Sequence, residues 1–307
     1  MTKSAKYSIG LKVFPNVGIL KSLFYSLRPA QWIKNFFVFL PLIFGKKLLD
    51  FPLNFKTVIA FCLFSLSASV VYLMNDIIDI EKDRIHPIKG LRPIASGKIS
   101  IRWATAAFFI LGILSIALSF KLSVYFGCIV IVYITLNFLY SIVFQNLIIV
   151  NVLCIGVFFL LRIIAGGLVA GVELSRWIVI TAVLLALFLG FNKRRQEFRM
   201  IKGGVIHSSH LFPKDSLFFI DCIIMSITLS IMVIYALYTL NAKTIMEFGS
   251  KNMVFTIPFV YLGIFRYIYL IHNAKLYGDP THILLSDRIL QLSILLWLIV
   301  SILVIYW

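Results

Sequence analysis

Nine long apolar runs, each bounded by charged residues or by Gly and Pro, leave this chain few folds to choose from. They lie at about 32–49, 57–80, 101–120, 122–141, 147–171, 175–195, 215–240, 253–273 and 287–307. A helix needs roughly 20 apolar residues to cross a bilayer. The runs are continuously apolar, whereas barrel strands alternate and are about ten residues long. No water-soluble core calls for nine such segments. Only 13% of the 307 residues are charged and 61% are hydrophobic, against about 25% charged in an ordinary soluble domain. The sequence therefore predicts an all-α, multi-pass membrane protein of about nine transmembrane helices.

The net charge is +17, from 29 Lys and Arg against 12 Asp and Glu. On a soluble chain that balance would point to nucleic acid. On a membrane chain it reports topology, because cytoplasmic loops collect Lys and Arg. With the N-terminus inside, nineteen of the 29 fall on the cytoplasmic side and seven outside, while Lys34, Arg162 and Arg266 lie within helices. The expected arrangement is a plasma-membrane (cell inner membrane) protein with a cytoplasmic N-terminus and an external C-terminus. A basic segment, 1–27, precedes one transmembrane domain, 28–307. No apolar stretch precedes Arg28, so no cleaved signal peptide is expected. Cys62, Cys128, Cys154 and Cys222 each stand alone in an apolar run. They have neither disulfide nor metal spacing and read as small buried hydrophobes.

Two cytoplasmic loops, 81–100 and 196–214, are long and polar, and function is expected at them and at the helix ends beside them. The strongest signal is Asn75-Asp76-Ile77-Ile78-Asp79-Ile80-Glu81-Lys82-Asp83, at the end of the second run. At 100° per residue, Asp76, Asp79 and Asp83 fall within about 60° of one another over two helical turns, and Glu81 points away. Three stacked carboxylates repel one another and call for a cation. Hard oxygen donors suit Mg²⁺, which bridges to substrate phosphates. The plain alternative is a solvated helix end paired with Lys82 and Arg84. Asp83 would matter less than the other two if it lies at the outer rim.

The loop that follows places Arg84, Lys89 and Arg92 among Gly90, Pro87 and Pro93, where the backbone turns and can approach a ligand closely. Cations just after an acidic stripe form a plausible diphosphate clamp, although positive-inside topology alone would also put them there. Lys34 could serve a substrate or snorkel to the surface. Arg162, before the small residues Ala165-Gly166-Gly167 that allow close helix packing, and Arg266 need partners or a hydrated cavity. His86 sits in the motif loop, and His207 and His210 read as solvated.

The run NDIIDIEKDRIHPIKGLRPIASG at 75–97 resembles the UbiA superfamily of intramembrane prenyltransferases. RPAQWIKNFFVFLPL at 28–42, LRIIAGGLVAGVELSRW at 161–177, GFNKRRQEF at 190–198 and GIFRYIYL at 263–270 resemble, more narrowly, its polyprenyl-phosphate phosphoribosyltransferase branch. The resemblance runs from about Arg28 to the C-terminus. It implies nine helices around a central cavity open sideways to lipid. It also implies transfer of phosphoribose from PRPP to a polyprenyl phosphate, with Mg²⁺ on Asp76, Asp79 and Asp83 and with Asn75 and Tyr140 in the substrate site. Prenyltransferases of the superfamily carry a second acidic motif on the sixth helix, where this chain reads Asn192-Lys193-Arg194-Arg195-Gln196-Glu197. Base in place of acid suits a site that holds further phosphates directly, through Lys193 and Arg194. Branch members read YSxxLK before the fifth helix and an Asp soon after; here Gln145 and Asn151 stand at the Lys and Asp positions. The rival readings are a true prenyltransferase, which would retain the second acidic cluster, and a transporter, which would show inverted repeats and broken midplane helices. No nucleic-acid partner is expected.

Overall fold

A computed structural model describes residues 18–86, 88–144, 148–202, 216–273 and 280–307, and these are helical throughout their ordered elements. A short helix α1 (Ile19–Ser26) leads into a 3₁₀ stretch (Pro29–Phe39) that continues as α2 (Leu40–Phe44). Then come α3 (Phe51–Ile78), α4 (Ile80–Ile85), α5 (Ile101–Leu122) and α6 (Val124–Leu139), whose end is a π-turn (Tyr140–Phe144). The second half holds α7 (Ile148–Ala170), α8 (Arg176–Lys202), α9 (Ser216–Leu240), α10 (Ala242–Phe248), α11 (Ile257–Asn273), α12 (Pro280–Ser286) and α13 (Arg288–Tyr306).

Eight of the described helical spans are long and apolar enough to cross a bilayer. The first expected run, 32–49, departs from the expectation, because it forms no long α-helix. Its physical solution is different. Trp32 donates to Ser69 Oγ at 2.9 Å, Asn35 donates to Ser65 Oγ at 3.0 Å, and Phe36 and Phe39 pack on Phe61, so the stretch runs antiparallel along α3. Arg28 lies at the Asp76 end of α3, and Leu48 accepts from Asn54 at the other end. A 3₁₀ helix rises about 2.0 Å per residue against 1.5 Å for an α-helix. Residues 29–44 in this mixed form therefore reach roughly 30 Å, the thickness of the hydrocarbon core.

The rows of the stretch follow from the same geometry. Trp32, Asn35, Val38 and Pro41 recur every third residue, and the last three are buried. A Cβ on Gly166 would collide with the Val38 carbonyl, so α7 admits this backbone only because glycine stands there. Each long helix packs on the next in sequence, and α3 also packs on α7. The arrangement closes on itself where Thr281 of α12 donates to Gln31 and where Tyr306 of α13 bonds the backbone of Leu48 and Ile43. One core lies among α3, α6 and α7, a second among α8, α9 and α11. Leu73, Ile80, Ile94, Ile99 and Ala104 form a smaller core that fastens the loop after α4 against α3 and α5. Fully burying an aliphatic side chain there contributes about 1.5–3 kcal/mol. Cys62, Cys128 and Cys222 are exposed on the outer, apolar surface, and Cys154 is half-buried. The expectation of buried cysteines fails because in a bilayer the outside is as apolar as the core.

Candidate active site

The acidic stripe sits where α3 gives way to α4. Asp79 has φ −91° and ψ 12°, which bends the chain between the two helices, while Asp79 N and Asp83 N still donate to carbonyls four residues back. The bend sorts the three aspartates. Asp76 and Asp83 turn inward, each 2% exposed, and Asp79 stands partly open. Asp83 thus lies in the interior, not at the rim, because seven residues bring it round to the face of Asp76 two turns on. Glu81 points away as expected, 80% exposed, and pairs with Arg84 at 3.0 Å on the surface.

Arg92 joins the two buried carboxylates. Its Nη1 donates to Asp76 Oδ1 at 3.1 Å and to Asp83 Oδ2 at 2.5 Å, while Lys89 Nζ stands 3.9 Å from Asp83. Arg28 Nη2 also donates to Asp76 Oδ1, and its guanidinium lies 4.9 Å from the Tyr72 ring centre. Burial and then the Arg28 charge pull the Arg92 guanidinium below its ordinary range. Burial, Arg92 and Lys193 do the same to the Lys89 ammonium. Such crowding of cations is tolerable only while anions face them. The Oδ1 of Asp79 is buried and carries no hydrogen bond. Lys82 Nζ is 3.5 Å away, inside ion-pair range but beyond a good hydrogen bond.

The donor chemistry fits a hard divalent cation, with carboxylate oxygens and one acceptor lacking a hydrogen bond. Among the described residues, however, no three Asp, Glu, His or Cys side chains converge on one point. The arginines occupy the carboxylates.

Around this nest, Asn75 accepts from Ser141 at 2.6 Å, and the Tyr140 hydroxyl accepts from Asn151 at 2.6 Å with Phe158 edge-on to its ring. Asn151 is buried, and Gln145 lies outside the described residues, as do His207 and His210. The end of α8 faces the loop. Lys193 and Glu197 act on Lys89, Glu197 also acts on His86, and Glu197 pairs with Arg194. Arg195 is committed elsewhere, to Asp221 of α9 and to His272 of α11. Lys34 is half-buried on the 3₁₀ stretch.

Two predicted site residues are held by other partners. Arg162 donates to Asn35 Oδ1 at 2.7 Å, to the Phe158 carbonyl at 2.6 Å and to the Tyr133 hydroxyl at 3.0 Å, with Phe64, Tyr133 and Phe159 around its guanidinium. Phe64 stands twelve residues before Asp76 on α3, which is about 18 Å along the axis. Arg266 grips Asp287 with Nη2–Oδ2 at 2.7 Å, and Asp287 in turn caps α13 through Leu290 N at 2.8 Å. Arg28, conversely, belongs to the nest, and sequence reasoning gave it no role. Its place at the head of the RPAQWIKN segment was the available signal.

A polytopic helical fold with buried acids and cations packed together at one end of its helices has the architecture of an intramembrane enzyme with a polar site at that end. The chain belongs to the UbiA prenyltransferase family, whose sequence profile matches residues 36–279. Among curated relatives, it is 32% identical to the decaprenyl-phosphate phosphoribosyltransferase of Corynebacterium glutamicum over 95% of this chain and 89% of that one. It is 31% identical to that of Mycobacterium tuberculosis over 92% and 94%. A UbiA homologue from Archaeoglobus fulgidus bound to GPP and Mg²⁺ superposes with a TM-score of 0.64 at 18% identity, covering 92% of this chain and 99% of that one. The same homologue bound to Cd²⁺ gives 0.62 at 17% identity over the same shares. That likeness establishes the fold.

Proposed function

We propose that this protein transfers phosphoribose from PRPP to a polyprenyl phosphate, releasing pyrophosphate, with its acidic nest on the cytoplasmic face of the plasma membrane. The observation that carries the reading is the basic end of α8, Lys193 and Arg194, set against the Lys89–Arg92 loop. A donor with a diphosphate and a 5-phosphate, meeting an acceptor that is itself a phosphate, needs cations where a prenyltransferase needs a second acidic motif. The named relatives, similar over nine-tenths of both chains, support it.

Asp76, Asp79 and Asp83 would hold Mg²⁺, which neutralises charge on a departing diphosphate. Lys89 and Arg92 reach the same oxygens as hydrogen-bonding cations. Lys193 and Arg194 receive the further phosphates, and Asn75, fixed by Ser141, and Tyr140, fixed by Asn151, shape the wall. The sugar carbon gains oxocarbenium character as the leaving group departs, and the lipid phosphate oxygen attacks it. That phosphate is already anionic at pH 7, its second pKa being about 6, so no strong general base is required.

The test is direct. Purified protein with Mg²⁺, PRPP and decaprenyl phosphate should form a lipid-linked phosphoribose. Indifference to PRPP, with consumption of a prenyl diphosphate and an aromatic acceptor instead, would overturn the reading.

A further inference from the structure

Arg28 is held to Asp76 by more than one constraint. Its backbone sits at φ +52° and ψ +61°, immediately before Pro29. A non-glycine residue in that left-handed region is strained, and such strain persists where the surroundings over-determine it. The surroundings here are the Asp76 carboxylate below the guanidinium and the Tyr72 ring beside it. The side chain nevertheless remains 25% exposed, so it has a path to a ligand that Asp76, at 2%, lacks.

The charges of the nest explain why the arrangement is temporary. Asp76 and Asp83 face Arg28, Arg92 and Lys89, and Asp79 faces Lys82, so the nest carries no excess of negative charge. A bare divalent cation would enter a site whose carboxylates are already answered by guanidinium groups, and would leave it strongly positive. A diphosphate alone would meet three carboxylates. Metal and diphosphate together come close to cancelling, and each arginine displaced from a carboxylate finds phosphate oxygens, which suit a guanidinium at least as well.

We propose that Arg28 is a diphosphate-binding residue held in reserve on Asp76, and that metal and diphosphate enter together as Arg28 exchanges the carboxylate for a phosphate. The proposal rests on the functional reading above only in requiring a diphosphate ligand; PRPP and a prenyl diphosphate satisfy it equally.

The experiment uses the purified full chain in detergent, with Mn²⁺ as a paramagnetic probe and inorganic pyrophosphate as the ligand. Wild-type protein is expected to bind Mn²⁺ at least ten-fold more tightly with pyrophosphate than without. Arg28→Gln should bind Mn²⁺ alone several-fold more tightly than wild type, because a competitor for Asp76 is gone. It should also lose most of the pyrophosphate effect. Arg28→Lys should fall between, since it keeps the charge and loses the fork. Equal Mn²⁺ affinity with and without pyrophosphate in the wild type overturns the exchange, as does an Arg28→Gln protein unchanged in both affinities. If Arg28→Gln does not fold, Arg28→Lys and the wild-type comparison still decide. Synergy in a protein that ignores PRPP would uphold the exchange and reject the phosphoribosyl reading. PRPP transfer without synergy would do the reverse.

Discussion

Asp76 and Asp83 share one guanidinium and nearly equal burial, so their replacement should have nearly equal effect. Asp76→Ala and Asp83→Ala are each expected to lower kcat/KM by about 10²–10³-fold, the scale for losing one preorganised electrostatic group. Both should still insert and fold, as size-exclusion profiles in detergent would show. An Asp83→Ala enzyme near wild-type activity would return Asp83 to the rim. His86 carries a pH dependence whose sign follows from its contacts. Its Nδ1 accepts from the amides of Ile88 and Lys89 at 3.2 Å each, which requires the unprotonated ring. Burial, with the Lys89 ammonium, holds its pKa below the ordinary value of about 6.5. The unfolded loop therefore binds the proton more readily, and stability that is full above about 6.5 is lost as the pH falls from there through the lower folded-state value. Protection factors for amide exchange at residues 88–92, corrected for the intrinsic pH dependence, should fall between pH 7.5 and 5.5, and His86→Gln should flatten that change. The three aspartates were legible in the sequence because oxygen donors at helical spacing state their own chemistry. Arg28 was not, since its role arises from a contact 48 residues away.

At the scale of elements, the eight long helices were legible because each satisfies length and apolarity on its own terms. The stretch 29–39 was not. Its period of three, Trp32-Asn35-Val38, is short enough to pass for part of a helical face, and what selects it is the Val38–Gly166 contact with α7. Arg162 shows the complementary lesson. Its charge at mid-depth reads as a functional group, yet its donors go to Asn35, Tyr133 and the Phe158 carbonyl, which tie the 3₁₀ stretch, α6 and α7 together. Arg162→Lys is expected to lower stability by about 1–3 kcal/mol through the partners it leaves unpaired. Molecules that remain folded should keep their KM for both substrates. A thermal melt beside steady-state kinetics separates this brace from a substrate contact, which would raise KM instead.

For the whole molecule, the two ends of the bundle are chemically distinct. One gathers Asp76, Arg92 and Lys193; the other surrounds a cavity of about 480 Å³ with Lys46, Phe248 and Tyr306. The distribution of Lys and Arg is the ground for our proposal that the first end faces the cytoplasm. In a Cys-free background, a cysteine at exposed Ser96 should resist a membrane-impermeant reagent in intact cells, and one at Ser250 should react; the opposite pattern would reverse the topology.

The mixed crossing at 29–44 also sets how the enzyme answers its lipid. An α-helix that is too long for a bilayer tilts, at a cost of fractions of a kcal/mol per ångström of mismatch. The sixteen residues from Pro29 to Phe44 have no such slack, because they reach roughly 30 Å only by being drawn out to the 3₁₀ rise; as α-helix they would reach about 24 Å. Arg28 is moored at the end of this taut line, whereas Asp76 rides on a 28-residue helix with length to spare. Acyl-chain length thus becomes a control on their registry. Reconstituted in phosphatidylcholines of increasing chain length, the protein should show a sharp optimum in diphosphate affinity, and a flat profile would count against it.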